Sequence, residues 1–334
     1  MTRKIKMGLL ISASALALTM LAGYLVFYFA DRAAGDGSVT LDFNVKNGWG
    51  SSIVTRELYN EKLIRSRTSF RYLLRITGNS NNIKRGIYTL NNGMTPLEII
   101  DLLTSGKTKT VSFTIPEGLH NRQIAEALAN RGLFSSQDEF LHMAADNKLL
   151  QKYKIQGRTV EGYLFPETYV IPVGFPKEKI FEVMIEEFFS QLKKIENYPS
   201  DPKKLHELVT LASLVEREAR KEEERPVIAG VLQNRLDDNQ LLQVDASIQY
   251  LFPRQRKKVY YKDLEIDSPY NTYKNKGLPP GPISNPGLSS LRAALKPEKH
   301  DFYFYVAKPD GSHYFAKNYR EHLKAKKEYI GSSD

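Results

Sequence analysis

The chain has 334 residues, of which 41% are hydrophobic and 26% charged, a composition that supports a packed core and more than one domain. It contains no cysteine, which excludes disulfides, thiolate metal sites, a cysteine nucleophile and lipid attachment through a thiol. Lys and Arg exceed Asp and Glu by ten (48 against 38), which favours anionic partners, but the basic residues form no long block and no nucleic-acid motif, so no nucleic-acid role is expected.

Met7 to Ala30 carries no charge. As a helix it would reach about 36 Å, enough to cross a bilayer, and it reads as a transmembrane helix spanning 7–30. Arg3, Lys4 and Lys6 precede it and Asp31 follows, so the positive-inside rule keeps residues 1–6 in the cytoplasm and exports the rest. The competing reading is a cleaved signal peptide, whose apolar region runs only about 7–15 residues. Residues 31–39 (DRAAGDGSV) are small and polar and read as a short tether.

Thr40 to Val45 alternates apolar and polar residues and predicts a strand. Two segments then match at an offset of 70 residues: Gly48, Val54, Leu58, Leu63, Ile64, Ser66 and Phe70 correspond to Gly118, Ile124, Leu128, Leu133, Phe134, Ser136 and Phe140. Each copy has helical spacing, an apolar pair, then a Ser placed to cap the helix that carries the Phe. A second correspondence follows each copy, between GIYTLNNGMTPLEII from Gly86 and ETYVIPVGFPKEKI from Glu167, which reads as strand, turn and helix. Internal duplication fits these matches, and so does convergence of short α/β units. The fold class expected is α+β. Residues 178–196 predict an amphipathic helix, broken by NYPSDPKK at 197–204.

Residues 205–224 read as one helix that ends before Pro226. On a helical wheel Leu205, Leu208, Val209, Ala212, Val215 and Ala219 share one side, and Glu216 falls among them. Glu218 falls about 200° away, among solvated charges. A carboxylate aimed at the core is costly unless neutral or partnered, and desolvation would raise its pKa, as a general acid needs. The alternative for Glu216 is a buried structural glutamate paired with an arginine.

Beyond Pro226 a second helix brings Asn234 and Arg235, followed by LLQVDASIQY with Gln243 and Asp245. In SPYNTYKNKGLPPGPISNPG (268–287), seven of the eleven residues from Gly277 to Gly287 are Gly or Pro, which predicts a loop with its backbone largely fixed. It carries Tyr270, Asn271, Thr272, Tyr273 and Asn285, aromatic, hydroxyl and amide groups suited to sugars. A rigid connector is the plainer reading. A strand over 302–307 and a helix over 318–330 close the chain.

LASLVEREA at 211–219, VLQNRL at 231–236, LQVDASIQY at 242–250, SPYNTY at 268–273, GLPPGPISNPG at 277–287, FYFYVA at 302–307 and EGYLFPETY at 161–169 together resemble the MltG/YceG-like family of endolytic murein transglycosylases. The resemblance spans nearly all of the chain beyond the anchor, although Pro282 and Ser284 depart from other members. It implies a LysM-like subdomain over 40–110 and a YceG-like catalytic domain over 111–334. It also implies a single-pass protein of the cytoplasmic (inner) membrane whose bulk is periplasmic, working on peptidoglycan strands in partnership with penicillin-binding proteins. Glu216 would be its acid and base. Asn234, Arg235, Gln243, Asp245, Tyr270, Asn271, Thr272, Tyr273 and Asn285 would line the substrate groove, with no metal and no cofactor. Two other readings stay open: a muramidase using Asp245 as a second carboxylate, and a non-catalytic scaffold that binds the wall.

Overall fold

The computed structural model describes residues 2–254 and 256–331; within 2–11 it describes only the side chains of Met7 and Leu10. Arg3, Lys4 and Lys6, on which the expected orientation rests, therefore lie outside the described side chains. The chain is a mixed α+β protein that divides into two compact units, residues 1–112 with 170–175 and residues 113–169 with 176–334.

The first unit begins with α1 (Thr2–Ala30), and its stretch Ser12–Ala30 is long and apolar enough to cross a membrane. It continues through β1 (Thr40–Val45), α2 (Ser51–Asn60), α3 (Arg67–Ile76), β2 (Gly86–Asn91) and α4 (Pro96–Ser105). β1 and β2 run antiparallel, with Thr40 opposite Asn91 and Val45 opposite Gly86. Phe43, Val45, Tyr88 and Leu90 turn inward onto Val54, Leu58, Phe70, Leu73, Ile99 and Leu103. α4 starts where its sequence says it should: Thr95 and Glu98 form a reciprocal capping box, Pro96 occupies the first turn, and Gly106 closes the helix at φ 79°.

The expected tether is not slack. Ala30 is buried with the unit's core, and Asp31 accepts a hydrogen bond from the Leu97 backbone N–H at 2.8 Å, at the N-terminus of α4. The Asn92 side chain accepts from the N–H groups of Gly37 and Val39. Small polar residues therefore mark tight backbone docking here, which composition alone does not distinguish from a flexible linker.

The chain continues with β3 (Thr110–Thr114), α5 (Asn121–Asn130), α6 (Gln137–Ala144), α7 (Asn147–Lys152), β4 (Thr168–Pro172) and α8 (Lys177–Leu192). β3 pairs with β4, and the division between the units runs through these two strands. The remainder is α9 (Pro202–Glu218), α10 (Arg225–Asp237), α11 (Asp245–Gln249), α12 (Leu288–Leu295), β5 (Phe304–Ala307), β6 (His313–Ala316) and α13 (Tyr319–Tyr329). The 302–307 strand expected from sequence is β5, and it gains an antiparallel partner in β6.

The two matched segments fold alike. Ser66 and Ser136 both cap their helices, accepting from the N–H groups of Ser69 and Glu139. Leu63 N–H bonds to Leu58 O as Leu133 N–H bonds to Leu128 O, and Phe70 and Phe140 are both fully buried. Gly48 and Gly118 hold left-handed φ values of 80° and 76°. Each copy runs strand, two helices, strand, helix, with the second copy gaining α7.

Candidate active site

α9 is the axle of the second unit: every residue from Leu208 to Val215 is buried. Two of these are polar and pair within the helix, Thr210 to the His206 carbonyl and Ser213 to that of Thr210. The helix stops at Glu218 because Ala219 turns extended, at φ −74° and ψ 125°. The single helix expected over 205–224 is thus α9 as far as Glu218, followed by a separate 3-10 turn at Glu222–Glu224. Pro226 opens α10 rather than ending α9, since proline's missing N–H costs nothing in a first turn.

This arrangement overturns the expected placement of Glu218. A helical wheel assumes one wet face, and α9 packs against α10, α11 and α12, so the side opposite Glu216 is also covered. Glu218 is only partly exposed. Its Oε2 accepts from the Tyr305 hydroxyl at 3.0 Å and its Oε1 from the Ala246 N–H at 3.4 Å. Burial pushes its pKa up to about 7, with the charge of Asp245 adding to that rise and the Tyr305 hydrogen bond opposing it. Around it stand Asp245 and Gln243, both exposed, and half-buried Tyr273, whose hydroxyl donates to Asp245. Gln243 sits at φ 53°, a left-handed strain uncommon outside glycine and asparagine, and its side-chain oxygen accepts from Arg235 at 3.1 Å.

Glu216 has different company. Its side chain is 6% exposed; Oε1 accepts from Arg225 at 3.3 Å and Oε2 from the Gly287 N–H at 3.0 Å. Gly287 precedes the first residue of α12, so the carboxylate ties α9 to the starts of α10 and α12. Arg225 also donates to Ser290 and lies 3.7 Å from Glu117, whose pKa rises through burial and the neighbouring charge of Glu216. A guanidinium and a backbone N–H together satisfy both oxygens of the carboxylate.

The remaining expected groove residues separate into two groups. Asp245 and Tyr273 lie beside Glu218, and Arg235, paired with Gln243, neighbours Tyr273 and Tyr305. Arg235 is 7% exposed and spends its donors on the carbonyls of Tyr303, Leu241 and Leu242 as well as on Gln243, with its guanidinium over the Phe304 ring. Asn234 donates to the carbonyls of His300 and Phe302. Asn271, Thr272 and Asn285 are buried. Asn271 donates to the carbonyls of Leu264 and Ile266, and Thr272 bonds to the Val244 N–H and the Ser247 hydroxyl. Asn285 bridges the N–H groups of Gly162 and Leu164 and the carbonyl of Leu119. Residues 281–287 of the Gly/Pro loop are therefore core, with polar side chains satisfying the backbone that an internal loop exposes. Tyr270 stands elsewhere, packed against Tyr250 at 5.1 Å between ring centroids.

Beneath Tyr250 lies Glu161, a carboxyl 6% exposed. It accepts from the Asn121 N–H at 2.9 Å, the Asn285 amide at 3.2 Å and the Tyr250 hydroxyl at 3.3 Å. Burial raises its pKa to about 8 despite those donors and the nearby Arg122. It joins α5, the 281–287 loop and the residue after α11.

Known proteins share this architecture. A crystal structure of a yceG-like protein from Listeria monocytogenes superposes with a TM-score of 0.60 at 32% identity, covering 86% of this chain and 99% of that one. The YceG-like family model matches residues 43–328. The chain belongs to the YceG-like family. Over 320 residues it is 38% identical to a Bacillus subtilis (strain 168) protein named endolytic murein transglycosylase, covering 90% of this chain and 87% of that protein. A Streptococcus pneumoniae (serotype 2 strain D39) protein of the same name is 32% identical over 290 residues, covering 76% of this chain and 52% of that protein.

Sequence reasoning passed over three groups that this YceG-like chain sets at its carboxyls. Tyr305 lies in FYFYVA, where two-residue alternation places it with the residues facing one side of a strand, but only the fold brings Glu218 to it. Glu161 and Tyr250 were legible as parts of motifs and not as partners, because 89 residues separate them.

Proposed function

We propose that this chain is an endolytic murein transglycosylase, a lyase that cuts between N-acetylmuramic acid and N-acetylglucosamine within peptidoglycan strands, with Glu218 rather than Glu216 as its acid and base. The reaction class rests on the family and its named relatives. The residue assignment rests on one arrangement: Glu218, partly exposed, has the Tyr305 hydroxyl on one oxygen and Asp245 beside it, and burial pushes its pKa up to about 7. Such a group still holds its proton in much of the protein at neutral pH, as the donating step requires, and becomes the base once that proton is given.

In the first step protonated Glu218 gives its proton to the glycosidic oxygen as the bond from the muramyl C1 breaks, releasing the N-acetylglucosamine end. Asp245, held by Tyr273, supplies negative charge beside the cationic sugar that forms. In the second step the Glu218 carboxylate takes the proton of the muramyl C6 hydroxyl, and that oxygen closes on C1 to give a 1,6-anhydro end. Glu218 is restored and no water is consumed. Asn234 and Arg235 are proposed to act through position, fixing the 300–303 segment and Gln243 at the groove. Tyr270, Asn271, Thr272 and Asn285 are assigned to shaping its walls.

Mass spectrometry of uncrosslinked nascent glycan digested with the full chain is expected to find anhydro ends. Reducing ends in their place would make the enzyme a hydrolase with Asp245 activating water.

The family reading carries with it a single-pass anchor with an exported bulk, a glycan-holding role of LysM-like type for the strand, two helices and strand of the first unit, and association with penicillin-binding proteins. Protease protection of the amino terminus in inverted vesicles, glycan pull-down and co-purification test these in turn.

A further inference from the structure

From Lys62 to Leu97 the sequence carries seven Lys or Arg and no Asp or Glu, an imbalance the whole-chain charge does not reveal. Much of it falls on α3. Phe70, Leu73 and Leu74 turn into the core, while Arg67, Arg71, Tyr72, Arg75 and Ile76 are exposed. Arg67 lies over the ring of Tyr59, itself exposed. Among the described residues the only ion pairs of this unit are Arg56 with Glu57 and Lys109 with Asp42, so the α3 arginines have no carboxylate partner. Arginine forks left unpaired beside tyrosines are suited to phosphate oxygens at an amphipathic boundary.

The position of α3 says which phosphates. α3 packs against α1. Every α1 side chain from Ser12 to Phe29 is exposed and Ala30 is buried, so that contact lies at the end of the apolar stretch, where a span emerges into the headgroups. Just beyond, the Arg32 guanidinium sits over the rings of Tyr28 and Phe29, as interfacial residues do.

We propose that the Arg67, Arg71, Tyr72, Arg75 face of α3 rests on the anionic phospholipid headgroups of the bilayer that α1 spans. This reading depends on the membrane anchor proposed above. An anionic wall polymer offers similar charge, but it would give no reason for the face to adjoin the end of α1, nor for Tyr72 and Ile76 to be interleaved with the arginines.

Because the chain has no cysteine, a single Thr68→Cys variant places one spin label on exposed α3. The full-length labelled protein is reconstituted in nanodiscs of phosphatidylcholine alone or with phosphatidylglycerol, and collision of the label with a water-soluble nickel chelate is measured. Phosphatidylglycerol should lower that collision rate several-fold, the effect should shrink in high salt, and Arg71→Gln/Arg75→Gln should remove it while leaving the circular dichroism unchanged. Equal accessibility in both discs overturns the proposal, as does shielding that appears only when soluble anionic wall polymer is added. Failure of the full chain to enter either disc would sink the anchor reading along with it, whereas entry without shielding sinks this proposal alone.

Discussion

Glu216 and Glu218 leave the same last turn of α9 two residues apart and enter opposite surroundings. On one side Arg225, which also donates to Ser290, and the Gly287 N–H form a bracket of donors that joins three helices. On the other, Tyr305, Asp245 and Tyr273 surround a partly exposed carboxyl whose pKa burial pushes up to about 7. A buried glutamate does not mark an acid by its burial. What separates the two is their partners: an arginine and a backbone N–H hold Glu216, whereas a tyrosine hydroxyl and a backbone N–H meet Glu218 with Asp245 beside it.

The largest effect should come from splitting the pair. Glu218→Gln is expected to reduce strand cleavage by about 10²–10⁴-fold, the usual contribution of a positioned acid and base, with little change in melting temperature. Glu216→Gln should do the reverse, keeping most of the cleavage in folded protein while costing roughly 1–3 kcal/mol of stability, because Arg225 loses its anion. Cleavage assays and denaturant melts of both variants would break the comparison if the two outcomes were exchanged.

Smaller shifts in pH dependence sharpen it. Asp245 raises the pKa of Glu218, so Asp245→Asn should move the alkaline limb of the rate profile to lower pH. The Tyr305 hydrogen bond lowers that pKa, so Tyr305→Phe should move the same limb upward, each by roughly half a unit to one unit. Opposite displacements are not what generic loosening of the site would give. Two limbs that move together would remove these residues from the acid's electrostatics.

Glu161 supplies the smallest and most indirect test. Its pKa of about 8 in the folded chain lies above the unfolded value near 4.3, so the folded state holds its proton more tightly. The stability this contributes is complete below the unfolded pKa and is lost as pH rises through about 8. The melting temperature of the full chain should therefore fall by several degrees between pH 5 and pH 9, and Glu161→Gln should flatten the slope. An unchanged slope would mean that another group carries the dependence.

Local sequence signals were reliable where the structure they specify is local. β1 has the bounds its alternation gives, Ser66 and Ser136 cap the helices their spacing implied, and the 70-residue offset returns as two similarly folded segments. The apolar stretch of α1 needed only length and composition. Signals failed where tertiary packing decides. The wheel placed Glu218 in solvent because it had no way to represent a helix enclosed on several sides. The Gly/Pro loop read as a fixed loop bearing groups suited to sugars or as a rigid connector, and Asn271, Thr272 and Asn285 bond to backbone partners that only the fold supplies. Tyr305 reaches Glu218 across 87 residues of chain, a separation no periodicity can bridge.

The hydrogen bond from Leu97 N–H to Asp31 has a mechanical consequence. With Ala30 packed in the core of the first unit, no swivel separates that unit from α1. The first unit and the end of α1 must turn as one body, so any tilt of that helix passes directly to the β1–β2 pair and α4.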